Sequence, residues 1–197
     1  MSDPPNPSNL SRRAALRTVA LAAMSVGAGG AAAALAQPRA RQPAWLTVGG
    51  RVGRPNAGPV GGDTIGFFKH HGVSFDKATA FTREELLTLP QHAFDTETKV
   101  AGRGVYSGPL LADAMRAAGA ETGALRLMAL DGFAVELAAA DRAADWMLAL
   151  SLNDAPFGVG GLGPCWLMRK LAPGAPPAFE EEAEKWVWSV FYIEAMA

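Results

Sequence analysis

The chain has a single cysteine, Cys165, and only three histidines. One thiol excludes an intramolecular disulfide, so stability has to come from a buried core. The histidines at 70, 71 and 92 all lie in the first half of the chain, and Ser107 sits in no G-x-S-x-G elbow, so a hydrolase triad has no support. Phosphate-binding G-x-x-x-x-G-K-[S/T] and strand-linked dinucleotide motifs are absent. Excess positive charge is absent too: the formal net charge is −1, with no basic stripe, which excludes nucleic acid as a partner. After the first 36 residues no apolar run approaches membrane-spanning length, so the remainder is expected to be soluble.

Residues 1–36 read as an export address. A polar stretch leads into Ser11-Arg12-Arg13-Ala14-Ala15-Leu16-Arg17, then an apolar run rich in alanine and glycine, then the small-x-small site Ala34-Leu35-Ala36. Paired arginines at that point indicate a twin-arginine signal and a periplasmic destination. Residues 37–44 are expected to be a flexible leader, and residues 45–197 to form one domain.

Within that domain, Leu125–Leu130 and Phe133–Leu137 are short apolar runs joined by Asp131-Gly132, a dipeptide suited to a tight hairpin. Ala138–Asp145 reads as a short helix and Trp146–Leu152 as one strand, stopped by Asn153-Asp154-Ala155-Pro156. Gly160, Gly161, Gly163 and Pro164 bend the chain before Cys165–Met168 extends again. Earlier, Trp45–Val48 opens as a strand and Gly53–Gly62 as a loop. Thr82-Arg83-Glu84-Glu85 is a capping box for a helix that Pro90 ends. His92–Val100 suits an exposed strand, and Pro109–Ala118 an amphipathic helix with Gly119 past its end. The run Trp186–Glu194 is apolar at nearly every position, so it is expected to be a central strand covered on both faces, with Trp188 in the core. The class is α+β with a mixed or antiparallel sheet and short helices.

The order of these pieces carries a resemblance. The Phe75–Pro90 strand and helix, Tyr106-Ser107-Gly108-Pro109-Leu110-Leu111 leading into a helix, the Asp131-Gly132-Phe133 turn, Gly163-Pro164-Cys165-Trp166-Leu167 and the closing Trp186–Glu194 strand resemble the oxidoreductase molybdopterin-binding-domain family. This is the fold that holds the pterin in sulfite oxidase, and the likeness is to the family's single-domain members. It covers most of residues 45–197 and implies a sulfite oxidase-like fold, with molybdopterin as the cofactor in members that bind one.

The chain departs from the family where that chemistry sits. The cysteine that ligates molybdenum would lie between the Leu-Pro helix end and the next helix start, here Gln91–Val105, and that interval has none, which matches the resemblance to a periplasmic single-domain subgroup that commonly lacks this ligand. Cys165, beside Pro164 and Trp166, reads as a buried structural thiol. Asp131-Gly132-Phe133 stands where relatives often carry Asn-Asp-Tyr, and Gly160-Gly161-Leu162 where they carry charges. The cations left to engage a pterin-like or small anionic ligand are Arg51 and Arg54 in the glycine-rich loop, Arg103, flanked by Gly102 and Gly104, and Arg169-Lys170; of these and the turn residues, Arg103, Asp131 and Arg169 are singled out. No catalytic residue and no metal ligand is assigned. The pair His70-His71 lacks the neighbours that would complete a metal shell, and Glu180–Glu184 reads as a solvated acidic face. The expectation is a periplasmic ligand-binding or interaction module, whose partner is such a ligand or another periplasmic protein. The alternative is a molybdopterin-dependent oxidoreductase.

Overall fold

The structure, a computed structural model, describes residues 42–61, 66–143, 145–169 and 185–197. Residues 1–36, read above as an export address, together with Lys170 and the Glu180–Glu184 run, lie outside the described residues.

Three sheets carry the described fold. The largest has five strands in the order β2-β1-β11-β5-β6, formed by β1 (Leu46–Gly50), β2 (Thr79–Phe81), β5 (Leu125–Ala129), β6 (Ala134–Leu137) and β11 (Val190–Ala195). β11 lies at its centre, parallel to β1 and antiparallel to β5, so the sheet is mixed. A four-stranded antiparallel sheet runs β3 (Gln91–Thr98), β4 (Gly102–Pro109), β8 (Ser151–Leu152), β9 (Ala155–Pro156). The third pairs β7 (Trp146–Ala149) with β10 (Trp166–Arg169). Helices are short: α1 (Phe67–His70), α2 (Arg83–Thr88), α3 (Leu111–Ala118), and a 3-10 turn at Ala139–Ala143 where a helix was expected.

Local chemistry explains most boundaries. The Thr82 hydroxyl accepts from the Glu85 amide at 3.1 Å while the Glu85 carboxylate accepts from the Thr82 amide at 2.7 Å, so both ends of the capping box are made. α3 buries Leu111, Ala114, Met115 and Ala118 and ends at Gly119, left-handed at φ 69°. Asp131-Gly132 closes the β5–β6 hairpin, with Gly132 at φ 89° and the Asp131 carboxylate accepting from the Phe133 amide at 3.0 Å.

Two further expectations change. Trp146–Leu152 is not one strand but two, on different sheets. The run breaks at Leu150, whose amide donates to the Ser107 carbonyl and whose carbonyl accepts from Phe157. The closing apolar run also breaks, at Ser189. Its φ of 55° and its bonds to Leu162 and Gly161 turn the backbone, so β11 begins at Val190. Trp186 and Val187 stay buried beside β10, but the turn carries Trp188 outward and leaves it 40% exposed. Trp188 is therefore not a core residue; Trp166, 2% exposed, is the large aromatic at the centre.

The core lies between the sheets. Leu46, Val48, Leu125, Leu127 and Ile193 on the inner face of the five-stranded sheet join α3, β7 and β10 in one cluster. The opposite face carries Tyr192 and Glu194 on β11 and Arg126 and Met128 on β5, two residues apart as strand alternation requires. That outer face meets a second, smaller cluster of Val73, Met128, Phe191 and Tyr192, against which Phe68 and Phe75 pack.

Candidate functional site

The three residues singled out from the sequence are carried by three different sheets. Arg103 is in β4, mid-hairpin and exposed, held by two 3.2 Å bonds to the Asp95 carboxylate across β3, which raise the guanidinium pKa above its ordinary value. Gly102 serves the hairpin turn at φ 73°, and a Cβ on Gly104 would run into Leu152 and Asn153. Both glycines thus have conformational and packing roles, whereas the sequence reading gave them to the approach of a ligand. Asp131 caps its own turn, and Arg169 ends β10 opposite Trp146.

The donor set for molybdenum can be tested on geometry. Gln91–Val105 forms β3 and the first half of β4, without a thiol anywhere in it. Cys165 is fully buried, bridged to Val190 with its carbonyl accepting from the Val190 amide, and burial pushes the thiol pKa far up. A neutral, enclosed thiol is a core residue, not a soft metal ligand. The residues present therefore do not fit a thiolate-ligated molybdenum of the sulfite oxidase type.

Another place collects polar groups, and no sequence motif marked it. A cavity of about 340 Å³ opens on the outer face of the five-stranded sheet, where the turn after α1 crosses β5 and β11. Its polar wall is made by His71, Ser74, Arg126, Tyr192 and Glu194, with Val73 and Met128 supplying apolar surface. Gly49 on β1 is what lets Tyr192 lie where it does, since a Cβ there would collide with the phenol. Phe75 stacks on Tyr192 at 6.0 Å and fixes the ring further.

The electrostatics follow from this placement. Burial, and then the Glu194 carboxylate, push the Tyr192 phenol up to about 12, so it is a neutral donor at physiological pH. His71 is lowered, first by burial and then by His70, against the opposing pull of Asp131 and a hydrogen bond to the Leu130 backbone. It too is neutral at pH 7, and its buried Nε2 has no partner among the described residues. The histidine pair expected to be a surface feature is split: His70 is exposed, while His71 packs on Phe67 and Phe191 at 4.4 and 5.1 Å. The signal available in the sequence was the lone Arg126 and Glu194 inside otherwise apolar strands.

A larger cavity of about 470 Å³ beside α3 has a different character. Its Arg142 donates to the carbonyls of Ala120 and Gly123, and its Arg116 pairs with Asp113 at 2.6 Å and Glu121 at 3.8 Å. Charges already engaged in this way hold the fold together.

Comparison with solved structures gives likenesses of fold. The fold is similar to that in the crystal structure of the sulfane dehydrogenase SoxCD from Paracoccus pantotrophus, with a TM-score of 0.50 and 17% sequence identity. The match covers 77% of this chain and 37% of that one, so the chain spans well under two thirds of its neighbour's length. No protein-family model matches the sequence, and no curated protein matches it. At this identity the likeness establishes the fold, a mixed α+β architecture shared with an oxidoreductase component.

Proposed function

We propose that this protein is an exported ligand-binding module that keeps a sulfite oxidase-like fold without a redox centre of its own. One observation carries the reading: the only thiol of the chain is sealed in the core and held neutral, and no other cysteine exists to anchor molybdenum. A metal that cycles between oxidation states needs a defined ligand shell, and soft sulfur is the donor this enzyme type uses. Export to the periplasm is supported by Arg12-Arg13 and the Ala34-Leu35-Ala36 site, a twin-arginine pair followed by a small-x-small cleavage pattern. There it would meet a small ligand or a periplasmic protein partner.

The second reading, a molybdopterin-dependent oxidoreductase, is favoured by the structural likeness to a dehydrogenase. Electron transfer separates the two. Protein purified from cells that make the pterin cofactor is expected to reduce no acceptor dye in the presence of sulfite beyond a heat-denatured control. Sulfite-dependent reduction that scales with protein concentration would overturn the module reading.

A further inference from the structure

Arg126 and Glu194 are directly opposed on neighbouring antiparallel strands, where oppositely charged side chains ordinarily pair across the sheet. Here they do not. Among the described residues no ion pair or side-chain hydrogen bond engages either the Arg126 guanidinium or the Glu194 carboxylate, although both line the same cavity. Glu136, which faces Arg126 from β6, is not bonded to it either. The cavity therefore presents a cation and an anion side by side, each with its bonding capacity unspent. Tyr192, a neutral phenol, His71, a neutral imidazole, and Ser74 line the same cavity.

This pattern selects by charge arrangement. A simple anion drawn to Arg126 meets the Glu194 carboxylate, and a simple cation drawn to Glu194 meets Arg126. A molecule that carries both charges a few bonds apart satisfies each without displacing an existing ion pair. Arginine suits a carboxylate because its planar fork donates two parallel bonds, and a carboxylate suits an ammonium as a point charge. The volume lies at the lower end of the roughly 300–1,000 Å³ typical of ligand sites, which fits a metabolite of amino-acid size rather than a pterin with its appended groups. Met128 and Val73 offer apolar contact to a side chain of modest size.

We propose that the cavity formed by His71, Ser74, Arg126, Tyr192 and Glu194 binds a small zwitterion of the α-amino acid class, its carboxylate on Arg126 and its ammonium on Glu194. The inference rests on the binding-module reading and names the ligand class that such a module takes.

Calorimetric titration of the full chain at neutral pH tests it, using the twenty standard amino acids singly, with acetate and ethylamine as single-charge controls. At least one amino acid is expected to bind saturably, with acetate and ethylamine weaker by roughly tenfold or more. R126Q and E194Q are each expected to weaken that binding by roughly tenfold or more. Both positions lie on the outer face away from the main core, and an unchanged melting temperature checks that each variant is folded. Absence of saturable binding by every amino acid overturns the proposal, as does binding that both variants leave intact. Acetate binding as tightly as any amino acid and insensitive to E194Q also overturns it, because the site would then take a plain anion. Those failures, with no sulfite-dependent electron transfer, leave the non-redox module standing. Sulfite turnover removes the module reading whichever amino acids bind.

Discussion

Trp166→Ala is expected to lower the unfolding free energy by about 3 to 5 kcal/mol, the range for emptying a large aromatic from a packed interior. The indole is 2% exposed and meets Tyr106 edge-on at 5.6 Å and Phe157 at 6.4 Å. Tyr106 is held on β4, Trp166 on β10 and Phe157 just after β9, all buried, so the vacated volume has little means of collapsing. Trp188→Ala removes a ring of the same size that is 40% exposed and meets Trp166 edge-on at 6.4 Å. Its cost is expected to be about 1 kcal/mol, as for a partly solvated side chain. Guanidinium denaturation of the two variants side by side checks the pair. Equal losses, or a larger one for Trp188, would mean that the turn at Ser189 is misplaced and that the closing run is a continuous strand.

The second large effect is at Gly108. Its φ is not in the left-handed region, so alanine meets no backbone strain there, and on chain entropy alone glycine to alanine would stabilise by about 0.4–1 kcal/mol. The neighbouring chain reverses that sign. β4 crosses β7 so closely at this point that an added Cβ would run into the Leu148 carbonyl oxygen, with the Ala149 Cα 2.9 Å away. Backbone on both sides cannot rotate out of the way as a side chain can, so Gly108→Ala is expected to destabilise by about 3 kcal/mol, the upper part of the overpacking range. Thermal unfolding reads the sign directly, and a rise in melting temperature would contradict the packing of β4 on β7.

The sequence made some of this legible and hid the rest for physical reasons. Signals that act over three or four residues were readable: the Thr82–Glu85 capping box, the Asp131-Gly132 turn and the glycine that ends α3 all lie where local chemistry puts them. The central position of β11 followed from its continuous apolarity, since a strand buried on both faces has no polar side to show. β4 was hidden because Gly102, Gly104 and Gly108 break the strand pattern, and two of those glycines exist only to let other strands approach. Trp188 was misjudged because nothing short-range marks Ser189 as the residue that turns the chain. The cavity was least legible of all. Its residues come from 71–74, 126–128 and 192–194, and only the pairing of β5 with β11 brings the last two groups together. Arg103 was readable as a cation beside glycines, but not as the partner of Asp95 eight residues earlier, because that contact depends on the register of the β3–β4 hairpin.

The central claim is that the fold persists while its metal chemistry is gone, and the molybdenum content of the isolated protein tests it most directly. Protein produced from the full sequence in cells that make the pterin cofactor, and recovered under native conditions, is expected to contain well under one molybdenum atom per chain by elemental analysis and to release no pterin on denaturation. Stoichiometric molybdenum with a released pterin would contradict the account, since the metal would then be held by donors other than the lone thiol at Cys165.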